Sequence, residues 1–299
     1  MFSLVPGVLS AFQLLRGTPD DLNLVDSYIR DAGPVEVQQQ RGAYVNASKA
    51  IVVSQYEEDI TWLEELQHRV NDSMLTVSVY QSKDENRPGF VKNVGNEAYK
   101  YLRYIVDNYD DLPEYVMFVQ ASAQDWHDPQ PKLDIIQSWD WTSPSKAAES
   151  VMPGEGRGIQ FLPTPQCIIE AVDGPPIEQN ANRDGCVYHQ PRQLSALKDA
   201  WSTVFERELG PLPPEWRTHC CAQFEVTREA IRQHPAQFYQ SVLDWVDEND
   251  STRLERMGRH ISEASRRQAL HDAKDRGDSG HVLEVAWALI FGRNARNMS

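Results

Sequence analysis

A chain of 299 residues can bury a sizeable core, as one large domain or two small ones. Its 29 basic and 44 acidic side chains give a net charge of −15, so the surface as a whole repels nucleic acid and favours cationic small ligands. No run approaches the roughly 18 apolar residues of a membrane helix, no basic n-region marks a signal peptide, and four scattered cysteines fit neither a disulfide framework nor a zinc site, so a cytoplasmic protein is expected.

Residues 1–47 lack sustained periodicity and read as an N-terminal arm, with a short helix near Asp20 to Asp31. Ala50 to Ser54 is an apolar strand, and a helix with the stripe Trp62, Leu63, Leu66 and Val70 follows it. Glu57, Glu58 and Asp59 stand between them. Acids there complement a helix dipole or, just past a strand end, hold a cation. Leu75 to Tyr80 alternates and is rich in β-branched residues, a second strand. Asn93 or Asn96 can cap the next helix, whose apolar face is Ala98, Leu102, Ile105 and Val106, with Tyr99, Tyr101, Tyr104 and Tyr109 ringing it. Leu112-Pro113 stops it.

Val116 to His127 (V-M-F-V-Q-A-S-A-Q-D-W-H) organises the chain: a buried strand that breaks into polar residues ending in Asp125, Trp126 and His127. In an open α/β sheet ligands gather outside the carboxyl ends of strands, so this turn is the first place to look for chemistry. The strand–helix–strand–helix–strand order predicts an α/β fold, a single three-layer, doubly wound, mostly parallel sheet with a helical C-terminal part. Residues 129–190 read as an irregular insertion with short strands near Gly158–Leu162 and Gln166–Val172. A helix over Leu194 to Leu209, a strand-like C-C-A-Q-F leading to a helix at Thr227, and a helix over Ala236 to Val246 come next. The segment 253–276 is a basic helix of net +3, carrying Arg253, Arg256, Arg259, Arg266, Arg267, Lys274 and Arg276. It is a solvated face, or the place where a polyanion touches. A last apolar helix ends the domain at residue 292, and 293–299 form a tail.

No G-x-G-x-x-G, P-loop, H-E-x-x-H or paired C-x-x-C occurs, so no cofactor and no metal are expected. His127 can serve as a general base near neutral pH, with Asp125 beside it. Ser122, by position, is the first nucleophile candidate and Cys220 the second. Cys220 and Cys221 in a strand would point to opposite faces, and most free cysteines in apolar strands are inert core.

The runs at 52–63 (V-V-S-Q-Y-E-E-D-I-T-W-L), 93–113 (N-V-G-N-E-A-Y-K-Y-L-R-Y-I-V-D-N-Y-D-D-L-P), the turn at Asp125, the run at 220–228 (C-C-A-Q-F-E-V-T-R) and that at 279–292 (S-G-H-V-L-E-V-A-W-A-L-I-F-G) together resemble a fungal and plant family of uncharacterised proteins with a core like that of the nucleotide-sugar glycosyltransferases. The chain departs from the family pattern at Gln120 and Ser122 and at Trp287-Ala288, where histidines are usual, and it has no Asp-x-Asp at the third strand's end. Within that family it is similar to a fungal branch that makes arginine-containing cyclic dipeptides from aminoacyl-tRNAs.

The resemblance implies an aminoacyltransferase, a cyclodipeptide synthase of natural-product biosynthesis, whose partners are arginyl-tRNA and a second aminoacyl-tRNA. The alternatives are a nucleotide-sugar transferase or a non-catalytic binding protein. Under the synthase reading Asp125, His127, Ser122 and Tyr101 are the catalytic candidates. Glu57, Glu58, Asp59, Asn93, Glu97, Gln120, Trp126, Cys220, Glu225 and Glu284 are candidates for binding the substrate, a guanidinium being matched by a bidentate carboxylate. Arg253, Arg256, Arg259, Arg266, Arg267 and Lys274 would meet tRNA phosphates.

Overall fold

Three apolar runs become three parallel strands. A computed structural model describes residues 48–70, 72–125, 130–142, 158–164, 166–170, 191–256 and 279–292, all within the unit Val37–Ser299. Strand β1 (Lys49–Gln55) buries Ala50, Ile51, Val52 and Val53 completely. Helix α1 (Trp62–Arg69) buries the expected Trp62, Leu63 and Leu66, and β2 (Leu75–Gln81) returns parallel to β1. Helix α2 (Asn96–Asn108) and a 3-10 turn at Tyr109–Asp111 lead to β3 (Tyr115–Gln120), parallel to β1 on its other side.

The start of α2 departs from the sequence expectation. Neither Asn93 nor Asn96 caps it; Gly95 and Asn96 are both left-handed, with φ of 60° and 52°. The Gly95 amide instead donates to Asp250 Oδ2 at 2.7 Å, so an acid 155 residues away satisfies an amide at this end of the helix. The tyrosines do not ring the helix evenly either. Tyr99, Tyr101 and Tyr104 are buried with the aliphatic stripe, because this helix is covered along a wide face.

The stretch read as irregular holds helix α3 (Lys132–Gln137) and strands β4 (Ile159–Phe161) and β5 (Gln166–Glu170). Helix α4 (Pro191–Ala200) continues through a π-helical stretch, Trp201–Phe205, into α5 (Glu206–Leu209). Strand β6 (Glu215–His219) pairs antiparallel with β5 in a separate two-stranded sheet. After a turn comes β7 (Phe224–Thr227), antiparallel to both β3 and β4, so the main sheet runs β2-β1-β3-β7-β4 and only β7 opposes the other four strands. It is an open, mostly parallel sheet. Helix α6 (Arg228–Ile231) starts where expected: Thr227 Oγ1 accepts from the Ala230 amide at 3.1 Å. Helix α7 (Ala236–Arg256) is longer than its apolar pattern and takes in the first arginines of the basic segment. Helix α8 (Ser279–Phe291) is mostly apolar and buried along its length except at His281 and Glu284, which are half-buried.

Alternation divides the sheet's side chains between two apolar clusters. Ile51, Val53, Met117 and Val119 pack with Trp62, Leu63 and Leu66 of α1 and with Leu133, Ile135 and Ile136 of α3. Ala50, Val52, Val116, Phe118, Phe224 and Val226 face the opposite way, into the cluster built by α2, α7 and α8. Apolar side chains are therefore buried on both faces of the sheet, which explains why β1 and β3 read as continuous apolar runs. Among the described residues no helix is long and apolar enough to cross a membrane.

Candidate functional site

Strands β1 and β3 end in step, Ser54 opposite Gln120, and the chain beyond both turns polar. Here Lys132, the first residue of α3, is buried with its side chain 1% exposed. Its ammonium donates to the Gln120 carbonyl oxygen at 2.5 Å and stands 3.4 Å from Asp125. Desolvation pushes it down to about 8, against the opposing pull of Asp125 and Glu58. Asp125 Oδ2 also accepts from Gln223 Nε2 at 2.8 Å, and Gln223 Oε1 accepts the Gln120 amide at 3.2 Å. Gln223 thus ties the end of β3 to the residue before β7.

A second polar group faces this one from α2 and α8. Glu97 is pushed up to about 7, first by burial and then by repulsion from Glu284, while His281 and Lys100 act in the other direction. Lys100 is buried, donates to the Asn96 carbonyl at 3.3 Å and is brought down to about 8 by desolvation, with Glu97 and Glu58 opposing. Tyr101 is fully buried against Phe118, ring centroids 4.8 Å apart. Burial first, then the charges of Glu97 and Asp125, hold its phenol well above the ordinary tyrosine range. Its hydroxyl finds no hydrogen-bond partner among the described residues, and neither does Trp287 Nε1, one turn along α8 from Glu284. Elsewhere Trp62, Trp201 and Trp216 each donate to a backbone carbonyl, at 2.8, 2.8 and 3.0 Å. A buried donor without an acceptor is costly and calls for an explanation, and a bound partner is one of them.

The two groups are joined by the turn Cys220–Ala222. Sequence alternation placed Cys220 and Cys221 in a strand with their thiols on opposite faces. They lie instead in a 3-10 turn between β6 and β7, joined to one another as a disulfide. Cys220, the second nucleophile candidate, therefore carries no thiol in this structure. Left-handed backbone at Cys221 (φ 76°) and Ala222 (φ 47°) turns the Cys221 peptide across the site. Its amide donates to Glu284 Oε1, and its carbonyl accepts from Gln120 Nε2 at 3.2 Å.

Of the sequence candidates, Asp125, Tyr101, Glu97, Gln120 and Glu284 are brought together, and Ser122 stands half-buried in the loop beyond β3. Glu58 lies at the rim, its carboxylate turned back to accept the Tyr56 amide at 2.6 Å and the Glu57 amide at 3.1 Å. Asp59 accepts from Thr61 at 2.9 and 3.1 Å, ahead of α1, and Glu57 pairs with Lys83 in the loop after β2 at 3.5 Å. Asn93 is exposed in the loop before α2.

Glu225 is not part of the assembly. It pairs across the sheet with Met117, on the face covered by α1 and α3, while Tyr101 packs on Phe118 and Phe224 of the other face. There it accepts from Trp139 Nε1 at 2.5 Å and is pushed up to about 8, chiefly by burial. Trp126 and His127 lie outside the described residues, as do Arg259, Arg266, Arg267 and Lys274. Arg253 and Arg256 sit in the last turns of α7. Lys100, Lys132 and Gln223 escaped sequence reasoning, since a lysine on a helix reads as solvated until tertiary packing buries it.

Chemically the site offers carboxylates, two lysines lowered to about 8 and buried donors without acceptors among the described residues, at the carboxyl ends of parallel strands. Among the described residues no three His, Cys, Asp or Glu side chains are grouped as metal ligands. The model of a family described as protein of unknown function, DUF3431, matches residues 51–299. No curated protein and no solved structure matches the chain.

Proposed function

We infer that this chain, which belongs to the DUF3431 family of proteins of unknown function, is an aminoacyl-tRNA-dependent cyclodipeptide synthase that makes arginine-containing diketopiperazines. The observation that carries this reading is the pairing of Glu97, poised near neutrality, with a second carboxylate, Glu284, beside the buried hydroxyl of Tyr101. An aminoacyl ester is already activated, so the reaction needs positioning and proton transfer more than a strong nucleophile.

Glu97, ionised, takes a proton from the α-amine of one aminoacyl ester. That amine attacks the carbonyl carbon of the second ester, and Tyr101 donates a hydrogen bond to the oxyanion. The ester C–O bond breaks, one tRNA leaves with a protonated hydroxyl, and a dipeptidyl ester remains. Its free amine then attacks its own ester carbonyl, closing the six-membered ring and releasing the second tRNA. Glu284 and Asp125 remain to hold the arginyl guanidinium, and the basic segment beginning at Arg253 to hold tRNA phosphates.

The fold is read here as a three-layer, doubly wound sheet of the nucleotide-sugar glycosyltransferase kind with a helical C-terminal part, supported by apolar clusters on both of its faces. Mass spectrometry of extracts from a host expressing the chain tests the reaction. A new arginine-containing cyclic dipeptide is the expected product. Its absence with expression verified, together with manganese-dependent binding of a nucleotide-sugar, would overturn the reading in favour of sugar transfer.

A further inference from the structure

We propose that the adjacent Cys220 and Cys221 form a redox-active pair, opened by dithiol reductants, and that its oxidised form sets the geometry of the pocket. The inference stands on the turn and does not depend on which reaction the pocket catalyses. The two cysteines are joined between β6 and β7. Closing the ring confines the peptide between them, and the chain then passes through two left-handed residues in succession, Cys221 and Ala222. Non-glycine residues adopt that backbone rarely and hold it only where the surroundings over-determine it.

Here the surroundings are the site itself. The Cys221 amide donates to Glu284, which in turn repels Glu97, and the Cys221 carbonyl accepts from Gln120, whose own carbonyl receives the Lys132 ammonium. One residue, through the two peptide units that flank its Cα, therefore couples the α2–α8 carboxylates to the Asp125–Lys132–Gln223 network. A change in the ring moves both groups.

The two residues differ in exposure, Cys220 being buried and Cys221 half-buried, so Cys221 is the side offered to a reductant. A thiolate of an external dithiol attacks Sγ of Cys221, the bond between the two sulfurs breaks, and Cys220 leaves as a thiolate and takes up a proton. The second thiolate of the reductant attacks the mixed disulfide and releases Cys221 as a thiol. Two electrons and two protons pass to the protein, and the reductant becomes a disulfide. In a reducing compartment a bond of this kind is a transient, sensing one rather than a permanent staple.

The test uses the full chain, oxidised with diamide or reduced with dithiothreitol. Peptide mapping after alkylation under non-reducing conditions reads whether Cys220 and Cys221 are linked to each other, separately from Cys167 and Cys186. Hydrogen exchange of the amides at 220–223 reads the turn without reference to any reaction. The oxidised protein should yield an unalkylated, internally linked 220–221 pair with a protected Cys221 amide. Reduction should make both cysteines alkylatable and speed exchange at that amide by roughly ten-fold or more, as expected when a site peptide loses its constraint. Diketopiperazine formation should fall by roughly ten- to hundred-fold in the same step.

The C220S/C221S double variant should behave like the reduced protein whether or not dithiothreitol is present. Two free thiols after diamide treatment, or amide exchange indifferent to reduction, would overturn the proposal. Accelerated exchange in a protein that makes no cyclic dipeptide would leave the redox pair standing and remove only the synthase reading.

Discussion

At the scale of single residues, stability and chemistry make opposite demands on Tyr101. Its hydroxyl is buried without a partner among the described residues, and burying an unsatisfied hydroxyl costs about 1–3 kcal/mol. Tyr101→Phe keeps the ring packed on Phe118 and Phe224 and removes that cost, so urea denaturation should show a gain of about 1 kcal/mol. If the hydroxyl serves the oxyanion, the same variant should lose turnover by roughly a hundred-fold. A variant both more stable and as active as the native chain would take Tyr101 out of the mechanism. Glu97→Gln is the companion change. It preserves the size of the side chain and removes the group poised near 7, so cyclic-dipeptide formation should fall by at least about a hundred-fold with the melting transition intact. Full activity in that variant would move the base elsewhere, with His127 the first alternative.

At the scale of elements, three helices converge on Gly95. A Cβ built there lies 2.4 Å from Val246 Cγ1 of α7 and 3.5 Å from Ser279 Oγ of α8, on backbone with φ of 60°. Gly95→Ala combines steric overlap with a left-handed conformation that alanine resists, and should destabilise by about 2–4 kcal/mol in urea denaturation. Adding Val246→Ala should return part of the loss by relieving the overlap and leaving the backbone term. No recovery would place the whole cost in the backbone. Such long-range junctions explain what the sequence hid. Strands β1, β2 and β3 were legible because each is an uninterrupted apolar or alternating run, and Gln120 and Asp125 followed from the strand-end rule. The apolar pattern ends α7 ten residues short because Asp247 to Thr252 carries no apolar period, and α3 is masked by a Pro-rich stretch. The turn at Cys220 reads as strand because two cysteines and an alanine look like apolar sheet; only left-handed backbone at Cys221 and Ala222 reveals otherwise. Lys100 and Lys132 left no local signal at all, since their burial is made by elements far away in sequence.

At the scale of the whole molecule, the displaced titrations predict the pH dependence of stability. Glu97 and Glu225, ordinarily near 4.5, are pushed up to about 7 and about 8. Each keeps its proton in the folded chain after the unfolded chain has released it. The folded state therefore binds more protons, and stability falls as pH rises from about 4.5 to about 8. Lys100 and Lys132, ordinarily at 10.5, are lowered to about 8, so above that pH the folded chain sheds their protons first. The unfolded state then binds more protons, and the contribution of these lysines makes stability rise between about 8 and 10.5. Denaturation measured across this range should show a minimum near pH 8. Glu225→Gln, which leaves Trp139 an acceptor, should remove a share of the descending limb of at most about 1.4 kcal/mol per pH unit. A descending limb unchanged in that variant would mean Glu225 ionises normally.

The net charge of −15 makes a last demand on the synthase reading, because a tRNA must approach a surface that mostly repels it. The segment 253–276 is net +3, so under that reading its arginines are where tRNA phosphates would be neutralised. Each phosphate contact contributes about −0.7 to −0.9 to the slope of log affinity against log salt. Reversing Arg256, Arg259, Arg266 and Arg267 to glutamate should therefore weaken tRNA binding and flatten that slope by about 3. The acidic remainder of the surface predicts a second feature of the same titration. Binding by the native chain should fall steeply at high salt, and in the reversed variant added salt should improve whatever weak binding remains, because it screens repulsion that nothing then offsets. Filter binding with arginyl-tRNA from low to high salt reads both. An affinity and slope unchanged by the reversals would make the segment a solvated face and require the tRNA to be held elsewhere.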